Sequence, residues 1–219
     1  MYPISILKHG TDIHPLFGDT LAGEPHIFDF SSANPNIGDY NTLDYDAFQS
    51  AIACELKRNK KQWGVGRYLE ERATLLRHYP QMVREGRVYH AGLDVTGLPG
   101  TALHAPLDAV VFEAGFEAGQ GNYGGYVILK HAEPEPFYSM YGHLSTNHAV
   151  KAGDVLHKGQ VFAALGEGRD AGGWFAHVHL QIHTEKSFRE GHAFQGYADA
   201  EMLKYIESIF PSPYLLFRY

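Results

Sequence analysis

The chain has 219 residues, of which 44% are hydrophobic and 20% charged, and its formal net charge is −7. This composition is typical of a globular protein with a substantial core, and the negative charge argues against nucleic-acid binding, which needs a basic surface. The single cysteine, Cys54, excludes disulfides and thiolate metal sites within one chain, so any metal would have nitrogen and oxygen ligands.

The N-terminal segment Met1–His9 has neither the charged region nor the sustained apolar run of a signal peptide. No apolar stretch approaches the roughly 18 residues that span a membrane. We therefore expect no membrane span and a cytoplasmic protein as the sequence stands, or a periplasmic or secreted one if a leader is removed. The sequence assigns no oligomeric state.

The first 85 residues predict two helices. Turn residues interrupt the start of this region, apart from a short strand at Ile27–Phe30. A helical stripe then contains Tyr45, Phe48, Ile52 and Leu56. We expect Asn41 or Thr42 to cap this helix and a second helix to span Tyr68–Tyr79, ending before a proline. We interpret residues 1–85 as an extension packed on the domain that follows.

From Gly86 the pattern changes to short apolar runs separated by glycine turns. Sixteen of the 24 glycines lie between Gly86 and Gly173. The runs are Ala109–Phe112, Tyr126–Leu129, Phe137–Tyr141, Gln160–Leu165 and Val178–Ile182. This spacing predicts a mainly β domain over residues 86–190, built as an antiparallel β-sandwich or barrel. Residues 191–219 predict a C-terminal helix, from Ala198 to Ile209, and a tail.

The stretch Phe175–Ile182 alternates between polar and apolar residues. Read as a β-strand, it places His177 and His179 on one face, with Val178, Leu180 and Ile182 on the other. The Cα atoms of the two histidines would lie roughly 7 Å apart. One imidazole can then bind a metal ion while the other faces a bound water or substrate.

A second candidate group is His90-Ala91-Gly92-Leu93-Asp94. A straight strand would separate its histidine and carboxylate by about 13 Å, so we expect a bend at Gly92 that lets both side chains converge on one ion. Two imidazoles and one carboxylate leave a fourth tetrahedral position open, which is the arrangement of a catalytic zinc site. His143, at the end of an apolar strand, adds a further imidazole.

Taken in order, these motifs resemble the signature of a known enzyme family. His90-x-x-x-Asp94, Tyr141-x-His143 and His177-x-His179 are similar to the motifs of the zinc metallopeptidase family of lysostaphin and LytM. The neighbouring segments that share the resemblance are Thr101–Val110, Gly125–His131 and Val150–Val161. The resemblance covers about residues 86–185.

The resemblance implies a fold, a cofactor and roles for individual residues. It implies a LytM-like barrel-sandwich hybrid, in which His90, Asp94 and His179 hold one Zn²⁺ per chain. His143 and His177 are then the catalytic histidines that do not bind the metal. The implied activity is a metalloendopeptidase acting on peptidoglycan cross-links or other short Gly- or Ala-containing peptides. Spacing alone does not say which histidine of the His-x-His pair binds the metal.

The chain departs from the family pattern around the His-x-His pair. The family usually has proline before the pair and Phe-Glu after it, where this chain has Ala176 and Leu180-Gln181. We therefore expect its specificity to differ, and we predict that residues 1–85 cover one end of the groove and restrict it to small or terminal substrates. The candidate groove residues are Tyr123, Tyr141, Trp174, Phe175 and His183.

Two other functions are compatible with parts of the pattern. His90–Asp94 also resembles the His-Phe-Gly-Ile-Asp segment of the glucose phosphocarrier, but a phosphocarrier needs no His-x-His pair. A catalytically inactive regulatory relative would typically lose metal ligands, whereas all five site positions are kept here. The other histidines of the β region, His104, His131, His148 and His157, are expected to be structural or surface residues.

Overall fold

A computed structural model describes residues 12–132, 135–147 and 149–219. The segment Met1–His9 and His148 lie outside these residues. The strands of the described chain are β1 (His26–Ile27), β2 (Gly64–Gly66), β3 (Tyr89–His90), β4 (Leu93–Thr96), β5 (Ala102–His104), β6 (Ala109–Glu117), β7 (Gly124–His131), β8 (Phe137–Leu144), β9 (Val155–Leu156), β10 (Val161–Ala164), β11 (His177–Thr184) and β12 (Tyr197–Ala198).

One large sheet organises the described residues, in the strand order β1-β2-β4-β11-β8-β7-β6-β9. All of its pairs are antiparallel except β1 with β2. Strands β5 and β10 form one small antiparallel sheet, and β3 and β12 form another. The mainly β, antiparallel fold predicted from the glycine-spaced runs is therefore confirmed. Strands β1 and β2 of the N-terminal region belong to the same sheet.

The main core lies between the large sheet and the β5–β10 sheet. The apolar face of β11 (Val178, Leu180 and Ile182) belongs to this core, as does Phe162 of β10. These side chains are fully or almost fully buried. The alternation of β11 therefore holds in the structure, and its histidine face points away from the main core.

The first predicted helix is present, and its cap is corrected. It spans Tyr45–Arg58, and the Asp44 side chain accepts a hydrogen bond from the Ala47 N–H, so neither Asn41 nor Thr42 caps it. An N-cap side chain must accept from a free backbone N–H in the first helical turn. Asp44, the residue immediately before the helix, is close enough to do so. The buried face of the helix packs against an aromatic cluster that includes Trp174 and Phe175.

The predicted helix at Tyr68–Tyr79 is wrong. The main chain here pairs with the β3 segment: the Arg72 N–H donates to the Val88 carbonyl, and the Leu69 N–H to the His90 carbonyl. Leu69 also has a positive φ of 59°, which is incompatible with a right-handed helix. Tertiary pairing thus overrides the helical periodicity. The remaining helices of the described residues are the 3-10 helices Ile37–Asp39, Leu75–His78, Met202–Ser208 and Pro213–Leu215, and the α-helices Pro80–Arg84 and Glu185–Arg189.

Two further boundaries differ from prediction. The C-terminal helix is a 3-10 helix that begins at Met202, because Tyr197–Ala198 pairs with β3 as strand β12. The first strand is His26–Ile27 rather than Ile27–Phe30. These two residues are in register with β2, and beyond them the Phe28 N–H donates to the Val65 carbonyl. Among the described residues, no helix combines the length and apolar character that a bilayer crossing requires.

The aromatic cluster predicts a large stability effect. Phe48 is fully buried, and its ring centroid lies 4.8 Å from that of Phe175. We expect Phe48→Ala to lower the free energy of unfolding by about 3–5 kcal/mol, because it leaves a cavity beside the long helix. Phe116→Ala is the matched control, since Phe116 is half exposed and should contribute far less. Urea unfolding of both variants checks this, and equal losses would contradict it.

Candidate metal centre

Two neighbouring strands and a bend bring three ligand atoms together. Asp94 of β4 lies opposite His179 of β11 in the antiparallel register. The chain bends at Gly92, between β3 and β4, as predicted. His90 Nε2 consequently lies 3.0 Å from His179 Nδ1 and 3.1 Å from Asp94 Oδ1, and the last two atoms are 3.2 Å apart. All three side chains are buried.

Gly92 also makes room for one of these ligands. A Cβ atom added at Gly92 would lie 2.5 Å from the His179 ring and 2.8 Å from the Leu180 carbonyl oxygen. Only glycine therefore permits the backbone to pass this close to the imidazole. Gly92 therefore has two roles: it allows the bend between β3 and β4, and its missing side chain leaves room for the His179 ring.

The hydrogen-bond partners of the two imidazoles define which nitrogens carry protons. His90 Nδ1 lies 2.9 Å from the Arg67 carbonyl oxygen, which can only accept, so Nδ1 carries the proton and Nε2 a lone pair. His179 Nε2 lies 2.8 Å from Gln181 Oε1, which leaves a lone pair on Nδ1. Two lone pairs and a carboxylate oxygen thus face one another, which favours a cation between them.

The spacing of these atoms fits a tetrahedral metal ion. Ligand distances of about 2.0–2.1 Å place the ligand atoms of a tetrahedral zinc about 3.3–3.4 Å apart. The three observed separations, 3.0 to 3.2 Å, lie close to that value. Within the described residues, His90, Asp94 and His179 form a group with the geometry of a metal site.

Burial and neighbouring charges set the protonation of the ligands. Burial first, and the Arg72 guanidinium second, lower the pKa of His90 to about 3, against the opposing effect of Asp94. Burial raises the pKa of Asp94, but His90 and Arg72 outweigh it and hold that pKa well below 3.8. At neutral pH the group therefore presents a neutral imidazole and a carboxylate, which are the protonation states that bind a metal.

Two more histidines lie beside this group. The Nδ1–H of His177 donates to the Phe175 carbonyl at 2.7 Å, and that of His143 to the Ala171 carbonyl at 2.9 Å. Their ring centroids are 4.4 Å apart, and His177 Nε2 lies 3.5 Å from Asp94 Oδ1. Burial lowers the pKa of His143 well below 6.5, with His177 and His179 adding to the effect.

His143 reaches the site through a break in the strand alternation. Tyr141 faces the main core opposite Leu180, so strict alternation would place His143 on the core face as well. His143 instead has a φ of 61°, and the β7–β8 register shifts at this point. Such a bulge re-aims a side chain and is common near active sites. It turns the His143 ring towards His177.

The five side chains share one cavity of about 570 Å³. This volume lies within the range of about 300–1,000 Å³ that small-molecule sites occupy. The other wall residues are His78–Met82, Arg84, Arg87, Glu117, Gly121–Tyr123, Trp174, Phe194, Gly196 and Tyr197. The cavity therefore combines the histidine face of β11 with segments that precede and follow the family's β region, over residues 78–87 and 194–197.

The predicted groove residues divide into two sets. Tyr123 and Trp174 line the cavity. Tyr141, Phe175 and His183 do not, and their assignment to the groove is corrected. Tyr141 packs against Phe162 in the main core, and Phe175 stacks behind the His177 ring at 4.2 Å. His183 is fully buried, and its Nδ1 lies 3.0 Å from Ser187 Oγ. It lies four residues after His179 along β11, so the rise of the strand separates its side chain from the cavity.

Several residues of the site belong to no sequence motif that would predict their place beside the metal ligands. Tyr79, Phe194 and Tyr197 line the cavity from outside the His-x-His region, and Arg72 contacts Asp94 directly. No spacing rule connects these positions to the metal ligands, since the chain brings them in from distant segments. The predicted structural role of His131 agrees with its hydrogen-bond distances to Asp108 O and Ser139 Oγ.

Comparison with known proteins identifies the family. Residues 88–191 match the model of Peptidase family M23. They form a peptidase family M23 domain. An uncharacterized metalloprotease of Haemophilus influenzae is 34% identical over 191 residues, which cover 81% of this chain. The alignment covers 37% of that relative, so the chain spans little more than a third of its length.

Solved structures similar to this chain include catalytic domains from two bacteria. The catalytic domain of the antimicrobial peptidase lysostaphin from Staphylococcus simulans is 25% identical, with a TM-score of 0.38, covering 55% of this chain and 81% of that one. The catalytic domain of a mutant of the prophage-encoded M23 protein EnpA from Enterococcus faecalis is 23% identical, with a TM-score of 0.40, covering 52% and 77%.

The buried histidines predict a stability that depends on pH. Burial lowers the pKa of His183 to about 3, as it does for His90, and lowers that of His143. Below pH 6.5 the unfolded chain binds these protons and the folded chain does not, so the stabilising contribution is complete above pH 6.5 and is lost as the pH falls towards 3. We expect each group to lower the free energy of unfolding of the metal-free protein by about 2 kcal/mol between pH 7 and pH 5.

Urea unfolding with a chelator, at a series of pH values, measures this slope. His183→Asn should flatten it by about one proton. His157→Asn is the matched control, because the His157 side chain is 82% exposed and the substitution should leave the slope unchanged. A stability that stays constant or rises down to pH 5 would contradict the prediction.

Proposed function

We propose that the M23 domain is a zinc-dependent metalloendopeptidase. The observation that carries the proposal is the convergence of His90, Asp94 and His179 beside His143 and His177 in one cavity. The three ligands would hold zinc, which supplies a Lewis acid and an activated water when bound. Nitrogen and oxygen ligands at this spacing suit that ion, and all three side chains line the cavity.

His143 and His177 are placed to move protons. Each donates its Nδ1–H to a backbone carbonyl, so each keeps an Nε2 lone pair for the cavity. The lowered pKa of His143 keeps it neutral at pH 7 and therefore able to accept a proton. In our proposal one histidine takes the proton of the attacking water, and the other stabilises the oxyanion or protonates the leaving amine.

Two phenols add donors to the same cavity. Burial raises the pKa of Tyr123 well above 10 and that of Tyr197 to about 12. Both remain protonated at neutral pH, and both line the cavity. In our proposal Tyr197 donates a hydrogen bond to a carbonyl group of a bound peptide. Tyr123, whose hydroxyl donates to Gln181 Oε1 at 3.4 Å, does so by exchanging that acceptor for the peptide.

The shape of the cavity supports short peptides or chain ends as substrates. The segment His78–Arg87 forms one wall. The Tyr79 ring stacks on Trp174 with centroids 6.0 Å apart and also lies against Gly121, where a Cβ atom would be 2.3 Å from it. In our proposal Tyr79 closes this end of the groove. The candidate substrates are peptidoglycan cross-links and other short Gly- or Ala-containing peptides.

The phosphocarrier interpretation fits the site less well. A phosphocarrier must present its histidine to a partner protein, whereas His90 is 1% exposed. Its Nε2 also faces Asp94 Oδ1 at 3.1 Å, so a phosphoryl group there would meet a carboxylate. An inactive regulatory relative remains the alternative that the activity assay separates.

Substitution of a ligand and of a catalytic histidine should give different results. We expect His179→Ala to lose both zinc and peptide cleavage, because it removes one of three ligands. His177→Ala should keep about one zinc and lose cleavage by about 10²–10⁴-fold, since it removes proton transfer alone. Zinc content by mass spectrometry and cleavage of a Gly- and Ala-containing peptide library check both expectations.

His157→Ala is the control, because it removes an exposed imidazole that does not line the cavity. Cleavage that survives complete chelation would refute the metallopeptidase. Tight zinc binding without cleavage of any peptide would favour the inactive relative.

Removal of the Tyr79 ring should widen the substrate range. We expect Tyr79→Ala to raise kcat/KM for long peptides relative to dipeptides by about tenfold, which corresponds to about 1.4 kcal/mol. Tyr79→Phe keeps the stack on Trp174 and loses only the hydroxyl contacts with the Thr42 carbonyl and with Gln120, so its preference should match that of the wild type. An unchanged preference in Tyr79→Ala would show that the segment does not restrict the groove.

A further inference from the structure

A buried arginine from outside the M23 domain contacts one of the candidate ligands. Arg72 is 1% exposed, and its Nη1–H donates to Asp94 Oδ2 at 2.7 Å. Its Nε–H donates to Glu70 Oε2 at 2.9 Å, and Arg67 closes the group by donating to Glu70 Oε1. Two carboxylates and two guanidinium groups thus form one chain of ion pairs that ends on the candidate site.

The contact divides the two oxygens of Asp94 between different partners. Oδ1 faces His90 Nε2 and His179 Nδ1 at 3.1 and 3.2 Å, whereas Oδ2 is held by Arg72. A carboxylate can bind a metal through one oxygen or through both. Rotation of Asp94 to bring both oxygens to the metal position would break the 2.7 Å bond to Arg72.

The surrounding backbone is shaped to hold Arg72 in this place. Gly66 lies opposite Asp94 in the β2–β4 pair, and a Cβ atom there would approach Arg72 Nη2 to 2.7 Å. The guanidinium also lies over the Phe30 ring, 5.0 Å from its centroid. These neighbours restrict the side chain to the direction that reaches Asp94.

The same segment also fixes His90. The Arg67 carbonyl accepts from His90 Nδ1, and the His90 backbone N–H donates to the Glu70 carbonyl. Leu69, between them, has a φ of 59°, a strained conformation for a leucine that the pairing with His90 imposes. Residues 67–72 therefore support two of the three ligands.

We propose that Arg72 is a positioning residue of the metal centre, which holds Asp94 as a ligand through Oδ1 alone and so keeps a coordination position open for water. The inference rests on the proposed zinc site. It assigns a role in the centre to a segment that lies before residue 88, where the family match begins. Groups that orient metal ligands in this way typically contribute 10–100-fold to metal affinity.

The test compares zinc binding by Arg72→Met, Arg72→Lys and Glu55→Gln with that of the wild-type chain of 219 residues. Competition with a chromogenic chelator gives the zinc Kd, and X-ray absorption gives the number of oxygen and nitrogen neighbours. We expect Arg72→Met to weaken zinc binding by about 10–100-fold and to gain an oxygen neighbour. Arg72→Lys should show a smaller loss, since an ammonium can hold Oδ2 but cannot also bridge to Glu70 in the same fork.

Glu55→Gln is the control for a purely structural effect. Glu55 lies 2.6 Å from His26 and also accepts from Tyr40, in a partly buried group outside the cavity. Its loss should lower the Tm of the metal-free protein and leave the zinc Kd and the coordination number unchanged. If Arg72→Met does not fold, Arg72→Lys provides the comparison with Glu55→Gln.

The inference would be overturned if the folded Arg72 variants had the same zinc Kd and coordination number as the wild type. It would also be overturned if the wild type bound no zinc. These measurements need no substrate. If the wild type binds zinc but cleaves no peptide, the proposed peptidase activity is refuted. Weaker zinc binding by Arg72→Met would still support the role of Arg72.

Discussion

The structure depends on the close approach of three electron-rich atoms in a buried place. His90 Nε2, Asp94 Oδ1 and His179 Nδ1 lie within 3.0 to 3.2 Å of one another, with no proton to separate the two nitrogens. Such an arrangement is unfavourable by itself, because a buried charge and facing lone pairs need a compensating partner. A cation bound between the three atoms would provide that compensation. Arg72 provides part of it by donating a hydrogen bond to the other carboxylate oxygen, Asp94 Oδ2.

The sheet and the N-terminal region share the task of holding these atoms. The antiparallel pairing of β4 and β11 places Asp94 beside His179, and the bend at Gly92 adds His90. Residues 67–72 then bind the far sides of His90 and Asp94. The N-terminal region is therefore part of the site, since strand β2 and this segment both contact the ligands' own strand or side chains.

The cavity walls come from inside and from outside the family match. The ligands and the two further histidines come from the M23 domain, over residues 88–191. The cavity walls around them include Tyr79, Arg84 and Arg87 from before the matched residues and Tyr197 from after them. In our proposal the metal ligands and the two further histidines thus operate in a pocket whose walls come partly from the family match and partly from segments outside it.

The sequence by itself determined the β architecture, the alternation of β11 and the bend at Gly92, because these follow from local periodicity and from the freedom of glycine. It also predicted the helix Tyr45–Arg58 through its apolar stripe. Only the tertiary structure decided the orientation of His143, which depends on a register shift between β7 and β8. It likewise decided that the segment after Tyr68 pairs with β3 instead of forming a helix, and that Arg72 reaches Asp94. These features arise from contacts between residues far apart in the chain, and no local pattern encodes such contacts.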